Sequence, residues 1–394
     1  MGKELTKGLF SIAIVSYNQA DLIYDCIDSI LEQKYPAIEL IIADDHSYDF
    51  DQVKLTEYIE KNCHENLVRY QVYTNPQNLG IVKNCNIACA HAKGEYLKTI
   101  AADDSFADKL VFQRMAKKLQ DPRNGIVCAR GKAIQHTGES TEDRYPSDID
   151  FQALLQIPDT NELYRYMVTR PWSPIFAPAV FWRNELFQSI GGYDESYVFT
   201  EDWPCWIRLA KEKIPFCFVD DFVVKYRYGG ISNQSLDGMP NLLRKIHYKE
   251  CVRALREEYE NVRQKYSKGS ALRCWYCAEA IEMKSVLELD WYEMSFMQKL
   301  RFRMKKLPVL SYIKLMSAIN YNKWFHIKRE MFVAVIFMIL LLTDRQLLPI
   351  CDLTVPMAWA TLVLLSIIGI KMVCNMLLFV LKKRAMLKTM LSGR

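Results

Sequence analysis

Three apolar, strand-like runs near the N-terminus each break off at a polar cluster, and that repetition constrains the fold more than any other feature. Leu9–Ser16 ends at Tyr17-Asn18, Ile38–Ala43 at Asp44-Asp45, and Glu95–Ala101 at Asp103-Asp104. After the first run, Leu22, Ile23, Cys26, Ile27, Ile30 and Leu31 fall on one face at helical spacing. Asn18, three residues before Asp21, reads as a capping arrangement for that helix. Val68–Tyr73 alternates as a further strand, and Ile81–Ala92 reads as a helix between Gly80 and Gly94. Strands alternating with helices of this length predict βαβ units and a largely parallel sheet. In such sheets the ligand crevice lies outside the C-terminal strand ends, where the three clusters fall. Asp and Asn are also ordinary turn and cap residues, so one cluster alone reads as a turn. Three at corresponding strand ends favour a site.

Farther along, periodicity weakens between Gly131 and Arg170, and Glu139–Asp150 is polar. This predicts a long excursion on the ligand side, a candidate lid. Order returns at Phe176–Trp182, a short helix from Arg183 and the turn Gly191-Gly192-Tyr193-Asp194. Thr200-Glu201-Asp202-Trp203 opens a helix over Trp203–Lys211, and Phe216–Val219 and Phe222–Tyr228 read as two closing strands. Asn241–Ser295 reads as helical and charged, with no catalytic-looking cluster.

Composition matters mainly at the other end. The 394 residues carry a net charge of only +5, which gives little support to nucleic acid as a partner. Yet residues 297–330 hold nine Lys and Arg against one acid, Glu330, so this segment alone exceeds the whole chain's excess. Its basic residues are interleaved with Leu, Phe, Met, Tyr and Trp, as suits an interfacial segment on anionic lipid headgroups. Met331–Thr343 is apolar but short of the roughly 20 residues a spanning helix needs. Leu353–Ile370 is long enough, and Lys382, Lys383 and Arg384 follow. Positive flanks on both outer sides, with only Asp344, Arg345 and Asp352 between, predict a membrane hairpin with both ends cytoplasmic. A pair of helices lying in the interface is the rival arrangement. Met1–Gly8, carrying Lys3, Glu4 and Lys7, lacks a signal-peptide core, and twelve cysteines scattered singly fit a reducing compartment. The main domain is therefore expected at the cytoplasmic membrane face. Cys274 and Cys277 form one CxxC without a second pair, readable as a plain helical face.

Carboxylates at strand ends suit a metal–diphosphate, because Mg²⁺ and Mn²⁺ prefer carboxylate oxygens and offset charge on a departing diphosphate. Asp45, Asp103 and Asp104 fit that need. Glu201-Asp202, at a helix N-terminus, supplies a candidate general base, although helix capping explains the same pair. No P-loop, HExxH or GxSxG motif is present.

In combination these fragments resemble a family 2 glycosyltransferase with a GT-A fold. The likeness runs through Ser11-Ile12-Ala13-Ile14-Val15-Ser16-Tyr17-Asn18, Ile41-Ile42-Ala43-Asp44-Asp45, Asn78-Leu79-Gly80, Lys83-Asn84 and Lys93-Gly94-Glu95-Tyr96. It continues at Ala101-Ala102-Asp103-Asp104-Ser105, Ile190-Gly191-Gly192-Tyr193-Asp194-Glu195 and Thr200-Glu201-Asp202-Trp203. The resemblance implies that Tyr17 and Asp45 bind the nucleotide base, with Asn18, Asp44, Lys83 and Asn84 nearby. It implies that Asp103 and Asp104 stand at a DXD-type motif, Asp104 as the better Mn²⁺ or Mg²⁺ ligand and Asp103 facing ribose or sugar. Asp202 matches the catalytic base, with Glu201 second. Many relatives carry a His after the last strand; Tyr226-Arg227-Tyr228 stands there instead, making Arg227 and Tyr228 candidate diphosphate contacts. Trp203 and Trp172 offer apolar faces to a sugar or to a packed core.

The layout expected is thus α/β: a GT-A, Rossmann-like nucleotide-diphospho-sugar transferase domain at 1–235, a helical extension at 236–296, the basic segment 297–330 and a membrane hairpin at 331–394. The expected activity is an inverting glycosyl transfer from a nucleoside-diphosphate donor, UDP foremost, to a lipid-linked saccharide, of the bacterial polysaccharide-biosynthesis type. A polyprenyl-phosphate glycosyl donor synthase and a catalytically silent nucleotide-sugar scaffold are the alternatives. Asp202→Asn separates the first alternative, because that enzyme has no sugar hydroxyl to deprotonate.

Overall fold

The computed structural model describes residues 4–228 and 241–290, with a few more between 294 and 306. Strands β1 (Thr6–Ser16), β2 (Ile38–Asp44), β3 (Leu67–Thr74) and β4 (Gly94–Ala101) alternate with helices α1 (Ile23–Leu31), α2 (Gln52–Asn62) and α3 (Ile81–His91). These strands form the parallel half of one sheet, in the order β3-β2-β1-β4. Ser16 pairs with Asp44 and Val15 with Ala101, so the three polar clusters emerge along one edge. Both sheet faces are covered, which is why β1 reads as an unbroken apolar run. Phe10, Ile12 and Ile14 pack with α1 and α2 on one side. Ala13 and Ile41 pack with α3 on the other.

The second half departs from the largely parallel sheet predicted. After β5 (Ser105–Phe106), α4 (Val111–Leu119), β6 (Ile126–Ile134) and β7 (Ser140–Tyr145), the chain forms α5 (Asp148–Leu155) and α6 (Thr160–Val168). A 3₁₀ turn over Ala177–Ala179 leads into β8 (Val180–Arg183) and α7 (Asn184–Ser189), then α8 (Asp202–Lys211) and β9 (Phe216–Arg227). β8 lies antiparallel between β4 and β6, and β5 and β7 are antiparallel to β9 and β6; only β6 and β9 run parallel here. The sheet is therefore mixed. The two closing strands are one continuous β9. The excursion from Gly131 is ordered as β6, the β7 hairpin arm, α5 and α6 rather than a featureless lid. Arg130 anchors it, bonding Asp148, Asp220 and the Pro146 carbonyl while its guanidinium stacks on Phe151 and Phe222.

Helices α9 (Asn241–Lys265) and α10 (Lys268–Ser285) follow, then a π turn over Val286–Asp290. The chain divides into compact units Met1–Ile281 and Glu282–Arg394, and α9 and most of α10 fall in the first of them. Their apolar residues, Leu255 and Cys274 among them, join the core around Trp182 and Trp206. Those two indoles stack at 5.4 Å, and Trp206 is wholly buried. Trp206→Ala should cost about 3–5 kcal/mol, read as a fall in the urea midpoint at unchanged slope.

Every described cysteine is a free thiol, and Cys274 and Cys277 are both buried, as a helical face requires. Among the described residues no helix is long and apolar enough to cross a membrane. The expected hairpin at 331–394 and most of the basic segment 297–330 lie outside the described residues.

Candidate active site

A cleft of about 420 Å³ opens above the C-terminal ends of β1, β2 and β4. Tyr17, Asp45, Asn84, Asp103, Asp104, Glu201 and Asp202 all line it. Sequence positions 185 residues apart (Tyr17 to Asp202) thus meet in one cavity.

On one side the walls are polar. The Asp45 carboxylate accepts from the Leu79 and Gly80 amides at 2.9 and 2.8 Å and from Asn75 Nδ2 at 3.0 Å. Asn75 also donates to Asn84 Oδ1, and Asn84 Nδ2 donates to the Ala43 carbonyl. Gly80 takes a φ of +86°, and a Cβ there would meet Val198 Cγ1 at 2.9 Å, so this turn is a glycine position on two counts. Asp44 differs from its neighbour. It is fully buried, accepts from Ser47 and Thr74, and does not reach the cleft. Lys83 is exposed on α3 outside the lining, and Asn18 is exposed with a φ of +53°, its amide donating to Ser47 Oγ. Asn18 is therefore a left-handed turn residue. Helix α1 begins later, behind Leu22, without a side-chain cap.

The floor is Asp103 and Asp104. Burial pushes both carboxyls up, Asp104 well above the usual carboxylate range, with the charge of the adjacent Asp103 adding to its rise. Asp104 Oδ1 accepts the Arg227 amide at 3.0 Å, whereas its buried Oδ2 has no hydrogen-bond partner among the described residues. An orphaned carboxylate oxygen beside a second acid is a fit place for a divalent cation. No cluster of three or more metal-ligating side chains occurs among the described residues. That donor set matches Mg²⁺ or Mn²⁺ held by two carboxylates, with water and substrate oxygens completing the shell. Behind the floor, buried Lys98 is pushed down to about 7 by burial, while Asp104 draws it upward.

Arg227 is placed differently from the diphosphate contact expected of it. Its Nε donates to the Asp103 carbonyl at 3.0 Å, Nη1 to the His136 carbonyl at 2.8 Å, and Nη2 to Asp25 at 2.7 Å. It is buried, does not line the cleft, and clasps the acidic turn from behind. Tyr228 likewise turns its hydroxyl to Asp143 at 2.6 Å and lies near Tyr145.

Glu201 and Asp202 stand where α8 begins. Burial is the main cause that pushes Asp202 up to about 6 and Glu201 to about 8; for Glu201 the adjacent Asp202 and Glu250 add to it. Such a pair holds one proton between its members near neutrality, which leaves one ionised carboxylate to act as a base. Trp203 is buried in the core, and Trp172 is half exposed beyond the lining.

The opposite wall was not visible in the sequence. Tyr145, Phe176 and Tyr226 pack ring to ring at 5.2–5.6 Å and line the cleft with Ile175, Ala177 and Pro178. His247, from α9, completes the lining beside the acidic pair. The one signal for it was the spacing of His247, Glu250 and Cys251, which puts all three on one helical face.

Residues 11–186 match the family described as glycosyl transferase family 2. An uncharacterized glycosyltransferase of Rickettsia prowazekii is 27% identical over 220 residues, covering 54% of this chain and 61% of that relative. The uncharacterized glycosyltransferase EpsJ of Bacillus subtilis is 22% identical over 258 residues, covering 64% and 68%. The chain thus spans about 60% of the length of the Rickettsia relative. Among solved structures, residues 1–349 of S. aureus TarS in complex with UDP-GlcNAc superpose with a TM-score of 0.51 at 14% identity, covering 76% of this chain and 79% of that one. That likeness is one of fold.

Proposed function

We propose that this chain, a member of glycosyl transferase family 2 through residues 11–186, moves a sugar from a nucleoside-diphosphate donor to an acceptor hydroxyl with inversion. One observation carries the reading: the Asp103-Asp104 pair and the Glu201-Asp202 pair converge on the cleft that also holds Tyr17, Asp45 and Asn84.

The polar wall receives the nucleotide. Tyr17 presents a ring for the base, and Asp45, although three donors already hold it, keeps acceptor capacity for a base N–H. Asp103 and Asp104 Oδ2 would hold Mn²⁺ or Mg²⁺, which supplies positive charge to the diphosphate as the sugar leaves it. The aromatic wall of Tyr145, Phe176 and Tyr226 receives the acceptor, its ring faces matching the C–H faces of a saccharide. Asp202 takes the proton from the acceptor hydroxyl. The freed oxygen attacks the anomeric carbon from the side opposite the diphosphate. The bond from that carbon to the phosphate oxygen breaks, and its electron pair departs on the nucleoside diphosphate. A single displacement of this kind inverts the anomeric centre.

UDP is the nucleotide we favour, as the commonest donor in the family; TarS binds UDP-GlcNAc. A lipid-linked saccharide at the cytoplasmic membrane face, in bacterial polysaccharide assembly, is the acceptor we infer. The basic and apolar sequence from residue 297 onward supports that reading. A panel of UDP-, GDP- and dTDP-sugars tested with Mn²⁺ decides the donor. One nucleotide should raise the melting temperature of the full chain in a Mn²⁺-dependent way, by RT ln(1 + [L]/Kd) in free energy. Silence across the panel would sink the assignment.

A further inference from the structure

Helix α9 lies beyond the residues that match the family, yet it holds the segment leading into the acidic pair. The Glu250 carboxylate accepts three successive amides: Val198 at 2.6 Å on Oε1, and Phe199 and Thr200 at 3.0 and 2.9 Å on Oε2. One turn earlier on the same helix, His247 Nδ1 lies 3.1 Å from Thr200 Oγ1, and its ring lies 5.9 Å from that of Phe199. Glu250 and Thr200 are both buried. The next two residues are Glu201 and Asp202, and α8 starts there with no side-chain cap of its own. On its other side the segment meets the nucleotide-side loop. The Val198 carbonyl accepts the Val82 amide at 3.4 Å, and Val198 packs against Gly80, whose amide Asp45 holds.

We infer that Glu250 and His247 are positioning residues for the Glu201–Asp202 pair. Three charge-assisted bonds to consecutive amides fix the path of residues 198–200, and with it the place where α8 begins and its first carboxylates point. Through Val198 the same clasp ties that place to the loop held by Asp45. An uncapped helix start would otherwise be free to fray by a residue or more, and misplacing a base by about 1 Å can cost 10²-fold in rate.

The inference rests on Asp202 being the base, so the test runs three full-length variants side by side: Glu250→Gln, Thr200→Val and Asp202→Asn. Release of nucleoside diphosphate is followed with UDP-glucose, GDP-mannose and dTDP-glucose plus Mn²⁺, and affinity for UDP, GDP and dTDP is measured by calorimetry. Glu250→Gln keeps the size of the side chain but turns a donor toward the amides. It should lower kcat about 10- to 100-fold while nucleotide affinity stays within about twofold of wild type. Thr200→Val, which removes only the hydroxyl facing His247, should lower kcat severalfold with affinity again unchanged. Wild-type kcat in both variants overturns the positioning role, as does a fall in kcat matched by an equal fall in affinity, which marks general loosening. If Glu250→Gln does not fold, Thr200→Val decides alone, and its retaining full kcat overturns the inference. If Asp202→Asn keeps full turnover, the base assignment fails and takes this inference with it. An inactive Asp202→Asn beside fully active Glu250→Gln and Thr200→Val condemns the positioning role only.

Discussion

Asp202→Asn should lower the rate of sugar transfer by about 10²–10⁴-fold while leaving nucleotide affinity near wild type. The amide is isosteric with the carboxylate and the clasp of Glu250 on residues 198–200 is untouched, so the start of α8 should survive. What disappears is the proton acceptor. The pH profile gives an independent reading of the same group. A base works ionised, and burial pushes Asp202 up to about 6, so log kcat/KM should climb with pH below about 6 and level off above it. Glu201, pushed up to about 8, stays protonated across neutrality and gives no second rise below that value. In Asp202→Asn the acid limb should vanish. A variant with full turnover would instead favour transfer to a lipid phosphate, whose oxygen is already ionised and needs no base.

The parallel half of the sheet was legible because its signals are local: apolar runs of strand length, helical periodicity between them, and polar residues where each run stops. β8 gave no such signal for its direction. It is four residues long, and whether it runs with or against β4 is decided by the 3₁₀ turn before it and by partners in β6. Asp44 and Asp45 illustrate a finer limit. Both end the same strand, and only the alternation of side chains sends one to Ser47 and Thr74 and the other to the cleft. Arg227 read as a candidate diphosphate contact because Tyr226-Arg227-Tyr228 stands where many members of the resembled family carry a His. Its donors instead meet two carbonyls and Asp25, groups at sequence separations that spacing alone cannot bridge. His247 and Glu250 were missed for the same reason. They lie on a helix whose overall composition is merely charged, and only packing brings them to Thr200.

Asp104→Ala should abolish the Mn²⁺-dependent part of nucleotide binding, a loss of at least about a hundredfold in affinity and more in turnover. The carboxylate does two different things with its two oxygens. Oδ1 accepts the Arg227 amide, a structural bond, while the orphaned Oδ2 is the atom left for a cation. Removing both confounds the roles, so Asp104→Asn is the sharper companion. With its carbonyl oxygen kept on the Arg227 amide, the asparagine offers an NH₂ where Oδ2 stood and repels a metal from a preserved turn. Both variants should therefore lose the dependence of UDP affinity on Mn²⁺ in calorimetry, but only Asp104→Ala should also weaken the turn that Arg227 holds. Fold stability should respond in the opposite sense to binding. Burial makes the Asp104 carboxyl costly to ionise in the folded apo protein, whereas the unfolded chain ionises it freely; an amide carries no such cost, so apo Asp104→Asn should melt no lower than the apo wild type at neutral pH. An Asp104→Asn protein that still binds UDP more tightly with Mn²⁺ than without it would move the metal away from this pair of acids.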